Sequence, residues 1–101
     1  MPDLRPGLTA TVFGQPHAGA VPASIVVATV PGRTRRRYGA RAEAFAQLEA
    51  GHAAQNILLQ AAARGLVAVP VDSLDPSRAA VTLALPPGQT VLYFIPVRLA
   101  P

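Results

Sequence analysis

The side chains equipped for chemistry are few. The 101 residues hold two histidines, five carboxylates and no cysteine. Without thiols there can be no disulfide scaffold, no thiolate zinc site and no cysteine nucleophile. His52 has Glu49 three residues before it, a spacing that can share one helix face, but no second histidine stands near and zinc asks for three or four ligands. A lone histidine in an apolar helix is better read as a hydrogen-bonded core or interface residue. Gln55 and Asn56 beside it read as amides bonding across a helix-packing seam. His17 has no acidic neighbour. Asp72 reads as turn chemistry with Ser73, and Asp75 as a helix cap. No Ser/His/Asp motif, Walker loop or G-x-G-x-x-G occurs. Taken one by one, these residues make no self-sufficient active site.

The basic residues are all arginine, nine of them, and they leave a net charge of +4. The excess sits in one segment, R-T-R-R-R-Y-G-A-R from Arg33 to Arg41. Charge and one aromatic suit a phosphate, but a single cluster without interleaved aromatics is a weak nucleic-acid signal. A solvated basic loop is the simpler reading, and nucleic acid is not expected as a partner. Half the residues are hydrophobic and only 14% are charged, which excludes a disordered chain. No apolar run reaches the roughly 18 residues of a membrane span, and no apolar segment follows Met1. A cytoplasmic protein without a membrane partner is therefore expected.

The elements that must position these residues follow from punctuation and period. Residues 1–22 are rich in Pro and Gly and read as an irregular lead. Ala23 to Val30 is a β-branched run between Pro22 and Pro31, and reads as a buried strand. Ala40 to Arg64 lacks proline and is dominated by Ala, Glu, Gln and Leu, good helix formers. In it Phe45, Leu48, His52, Gln55/Asn56, Leu59 and Ala63 trace one stripe, while Ala50, Ala53, Ile57 and Ala61 lie on another side. With apolar or small residues around so much of its circumference, this helix should be mostly buried. Gly65 supplies its stop. Leu66 to Val71 reads as a second strand. A short helix runs from about Pro76 to Leu85 with Asp75 as cap and Pro76 at its first position, and Gln89 to Val97 forms a third strand ending at Pro96. The expected fold is α+β: one domain over residues 1–101, a small sheet of about three strands packed on one long buried helix plus a short helix.

The run A-G-H-A-A-Q-N-I-L-L-Q-A-A-A-R-G-L-V-A-V-P-V-D-S-L-D, Ala50 to Asp75, resembles the FMN-dependent nitroreductase superfamily, most closely its SagB-type dehydrogenase branch. Arg36 to Arg41 is similar to that branch's W-K-Y-G-x-R segment, and the strand Val91 to Arg98 to its l-Y-l-x-P-v-G. The resemblance spans roughly residues 20 to 98 and corresponds to the C-terminal half of the family fold.

It implies an FMN-binding oxidoreductase that passes hydride from a reduced nicotinamide through the flavin to an organic acceptor. It also implies a homodimer built on the long helix, with flavin at the interface. By the same resemblance Pro70, Val71, Asp72 and Ser73 would run along the flavin ring. Arg98 would approach the phosphate, and Tyr38 would match the tyrosine of a Lys-Tyr pair used in azoline oxidation. Two positions depart from the pattern: Arg37 replaces that lysine, and Asp72 replaces the usual glycine. An arginine stays protonated and cannot serve as a base. A site lacking the N-terminal half needs a dimer mate or a separate chain to complete it. The competing readings are a non-catalytic remnant used for dimerisation and, third, a basic nucleic-acid binder.

Overall fold

The computed structural model describes residues 21–72 and 74–101. The irregular lead, save Val21 and Pro22, lies outside the described residues, as does Ser73. Three strands and three helices follow in the order β1 (Ala23–Thr29), α1 (Pro31–Tyr38), a 3₁₀ turn (Gly39–Arg41), α2 (Ala42–Ala63), β2 (Leu66–Ala68), α3 (Pro76–Thr82) and β3 (Thr90–Leu99). The fold is α+β, and β3 lies at the centre of an antiparallel sheet ordered β1-β3-β2.

Where a basic loop is expected after Arg33, the chain forms α1. Pro31 occupies the first turn, where its missing amide costs nothing and its fixed φ already suits a helix. The amides of Arg33 and Thr34 both bond to the Val30 carbonyl, at 3.0 and 3.4 Å. Arg35, Arg36 and Arg37 fill the last turn, where cations meet the negative end of the helix dipole. Gly39, at φ 60°, then turns the chain out of the helix.

The second strand is shorter than its apolar run, and a proline on the strand it pairs with explains why. Leu66 stands opposite Leu99 and Val71 opposite Phe94, so one register runs through the whole segment. That register sets Val69 against Pro96 and Pro70 against Ile95. The Val69 amide bonds to the Pro96 carbonyl at 3.3 Å, but Pro96 has no amide to return the bond, and Pro70 and Ile95 meet at a non-hydrogen-bonded position between the two bonded pairs. The ladder therefore lapses and resumes at Val71. Pro96 does not end β3, as expected, but lies buried within it.

A bulge separates the pairs Val27↔Tyr93 and Ala28↔Val91, leaving Leu92 as the extra residue. It reverses the side-chain alternation, so that Val91 and Phe94 face the same way. They pack with Val71, Leu74 and Ala79 into a buried cluster beneath α3. Asp75 caps α3 by accepting from the amides of Ser77 and Arg78, at 3.0 and 3.3 Å. The helix stops at Thr82, earlier than expected: Ala84 adopts a left-handed φ of 51°, and the Leu85 amide bonds back to the Ala80 carbonyl.

On the opposite sheet face lies α2. Its buried residues are Ala42, Ala50, Ala54 and Ala61, so the alanine side meets the sheet. The expectation of a mostly buried helix is corrected here. The stripe containing Leu48, His52, Gln55 and Leu59 points outward, with Leu48 62% and Leu59 59% exposed. Three strands are too narrow to cover both sides of a 22-residue helix.

Candidate functional site

The turn after β2 is fixed by its neighbour. Val71 donates to the Phe94 carbonyl at 2.6 Å and accepts from the Phe94 amide at 2.9 Å. Phe94 is fully buried, so this pair anchors the turn to the most rigid point of the fold. The Val71 side chain belongs to the core, 5% exposed. Its alternate neighbours Pro70 and Asp72 are exposed. The Asp72 carbonyl accepts from the Leu74 amide at 3.0 Å, which tightens the bend beyond it.

Asp72 stands on the rim of a cleft of about 400 Å³ between the first half of α2 and the start of β3. Gln47 and Ala50 come from the helix, Leu74 and Pro76 from the segment leading into α3, and Thr90 to Tyr93 from the strand. The cleft exists because Ala50 offers no bulk and because the bulge at Leu92 swings the strand. Tyr93 and Gln47 line it, yet neither stands out in the sequence as a site residue. Tyr93 looks like one more apolar strand position, and Gln47 like an exposed helix position. The bulge that re-aims the strand side chains has no composition signal of its own.

Tyr38 and Arg98 do not line this cleft. Tyr38 ends α1 with its ring edge-on to Phe45 at 4.9 Å between centroids, and remains 42% exposed. The Arg37 guanidinium lies 5.6 Å from the Tyr38 ring and that of Arg41 4.8 Å from the Phe45 ring. The corner between α1 and α2 is thus an aromatic pair capped by two cations. It shares the first half of α2 with the cleft. Arg98 lies at the far end of β3, opposite Val67 and roughly 13 Å along the strand from Phe94. It is exposed and makes one long bond, 3.4 Å from Nη1 to the Leu99 carbonyl.

No group of His, Cys, Asp or Glu able to hold a metal ion occurs among the described residues. Among them, too, no helix is long and apolar enough to cross a membrane.

An antiparallel sheet backed by one long helix, with a strand-tethered turn opening on a cleft beside that helix, defines the α+β class of this domain. The chain belongs to the nitroreductase family, whose model matches residues 5–97. Solved structures share the fold. A protein from Anabaena variabilis assigned as a nitroreductase is 20% identical with a TM-score of 0.91, over 100% of this chain and 21% of its own. One from Ralstonia eutropha, also assigned as a nitroreductase, is 24% identical with a TM-score of 0.70, over 77% of this chain and 37% of its own. A nitroreductase-like protein from Streptococcus mutans is 17% identical with a TM-score of 0.72, over 95% of this chain and 61% of its own. The chain therefore spans between about a fifth and three fifths of the lengths of these structures. No curated protein matches the chain.

Proposed function

We propose that this chain is an FMN-dependent oxidoreductase unit of the SagB-type branch, equivalent to the C-terminal half of that fold. It works in the cytoplasm, and its site is completed by a second copy or by a chain carrying the N-terminal half. The observation that carries this reading is the reciprocal pair between Val71 and Phe94, which holds the Asp72 backbone rigid on the rim of the cleft. A flat ring placed there meets a backbone edge that does not have to reorganise.

The residues fit the ring end of such a site. Asp72 supplies backbone at the edge, with Gln47 and Tyr93 in the cleft behind it. They supply less of the phosphate end, where Arg98 is the cation that the family pattern offers. Phosphate binding draws on several charge-assisted bonds, so completion by another chain follows from chemistry. FMN, when bound, supplies two-electron chemistry, accepting hydride from a reduced nicotinamide and delivering it to an organic acceptor. The chain's own part is to orient. The 70–72 turn fixes the ring edge, while Tyr38, which stands outside the cleft against Phe45, is the hydroxyl that the completed site would turn to the acceptor. A guanidinium, unlike a lysine amine, does not serve as a base, so Arg37 gives the acceptor a fixed positive charge and no proton acceptor. The Asp72 carboxylate disfavours negative charge building on a reduced ring beside it.

Titrating the chain into FMN and following flavin fluorescence tests the reading. Saturable quenching is expected, tightened about tenfold, or about 1.4 kcal/mol, by Asp72→Gly and weakened by Arg98→Ala. A folded chain that shows no saturable quenching, either at concentrations where it self-associates or with a chain carrying the N-terminal half added, would reject it. A second reading, a non-catalytic interaction module, draws on the exposed leucines of α2. A colourless and stable dimer would favour it.

A further inference from the structure

We propose that the groove between the last turns of α2 and the sheet binds an apolar monocarboxylate, such as a short fatty acid. The aliphatic chain lies in the groove and the carboxylate on Arg64. The site lies apart from the cleft beside Asp72 and does not depend on flavin. Gln47 borders that cleft and Gln60 this groove. Along α2 they stand about 20 Å apart, at ~1.5 Å per residue.

The groove holds about 350 Å³, a volume suited to a small molecule. All three strands contribute to it: Ile25 from β1, Val97 from β3 and Leu66 from β2. Ile57 and Ala61 of α2 face them across the gap. The space remains because Ala61 meets the sheet with a single methyl, where a larger side chain would fill it. The sheet brings no polar side chain to the groove. Water gains little from such walls, and an aliphatic chain that displaces it is favoured.

One edge of the groove is different. Asn56, Gln60 and Arg64 recur at every fourth residue and follow one edge of the helix. Arg64 carries the only charge among the lining residues. Its guanidinium has no hydrogen bond or ion pair among the described residues. None of the described carboxylates lines the groove. Glu49, the acid of α2 nearest in sequence, comes fifteen residues before Arg64. That is about 22 Å along the helix.

Charge complementarity then selects the ligand. A guanidinium presents a fork of donors that a carboxylate takes with both oxygens. The Gln60 amide, one turn back on the same edge, can add another bond. The carbonyls that end a helix disfavour an anion, but here they are already engaged. Those of Gln60, Ala61 and Ala62 accept from the amides of Arg64 and Gly65, at 3.1 to 3.3 Å. An ammonium head would meet Arg64 with like charge. A neutral head would leave the guanidinium without a counter-ion. One apolar body with one carboxylate suits both the walls and the edge.

The test titrates octanoate, below its aggregation concentration, into the dilute flavin-free chain and follows amide shifts by NMR. Octanamide and octylammonium serve as neutral and cationic probes of the same length. Saturable shifts are expected at Ile57, Ala61, Leu66 and Val97. Octanoate should bind about fivefold more tightly than octanamide, as one exposed ion pair allows, and octylammonium most weakly. Arg64→Gln should bring octanoate down to the level of octanamide. Arg64→Lys keeps the charge without the fork, and should recover part of the difference. Ile25→Trp should block all three probes by filling the groove. Ile25 is 42% exposed, so the larger ring can be held without disturbing the core. Equal binding of the three probes would overturn the proposal. So would octanoate binding left unchanged by Arg64→Gln or Ile25→Trp, and so would shifts confined to Leu48 and Leu59 on the outward side of α2. The absence of any saturable shift, as when a second copy covers the groove, would overturn it too. With no flavin present, each outcome is separate from a failure to bind FMN.

Discussion

The two faces of the central sheet are built to different standards. Beneath α3, Phe94 and Ala79 are fully buried and Val71, Leu74 and Val91 nearly so. On the α2 side Ile95 is also fully buried, but the helix meets the sheet with alanines, and two grooves of about 350 and 210 Å³ remain along it. The first face is finished within one chain. The second is more open: its helix spends its small side on the sheet and shows its leucines to the outside. High apolar content therefore does two jobs here. One part holds the domain together, and the other is exposed apolar surface, the kind that a partner would cover.

Mutations should separate the two faces. The largest effect is expected at Phe94, whose truncation to alanine opens a cavity next to the Val71 anchor. A loss of about 3–5 kcal/mol in denaturant unfolding is expected, a large share of the stability of a domain of this size. A loss below 1 kcal/mol would mean that the α3 side is no better packed than the α2 side. Asp75→Ala removes the oxygen that caps two amides of α3, and should cost about 1 kcal/mol. Its ion pair with Arg78, at 3.6 Å between Nε and Oδ2 and partly open to water, adds little. Arg78→Ala should accordingly cost less than Asp75→Ala in the same assay. Ala84→Gly should move the other way, stabilising by up to about 1 kcal/mol, because glycine accepts the left-handed conformation that alanine holds under strain.

Much of the finished side is legible in the sequence, because local chemistry dictates it. The β-branched run from Ala23, the Asp75-Pro76 start and the Gly65 stop each have one good reading, and the fold follows it. The errors come from pairings across distance. The arginine run looks like a loop because charge suggests solvent, although Pro31 had already set the first turn of a helix. β2 looks unbroken because nothing in its own residues reveals that Pro96 will face Val69. The stripe of α2 is visible as a stripe, but which side packs depends on how many strands stand behind it. The site shows the same division. Its turn is marked by a local motif, whereas Gln47 and Tyr93 enter the cleft through a bulge and a helix crossing.

The smallest expected effect is the most telling for the comparison. Replacing Leu48 and Leu59 together by serine removes two large side chains from a chain with few polar groups, and a core role would make that severe. Both are exposed, so in dilute solution, where the chain is single, the double variant should unfold within about 0.5 kcal/mol of the parent. At high concentration the two should part. The parent's unfolding midpoint should rise with concentration, because a mate binds only the folded chain, while that of the variant should stay flat. A loss of 2 kcal/mol or more at every concentration would place these leucines in the core of the single chain, and erase the distinction between the two faces.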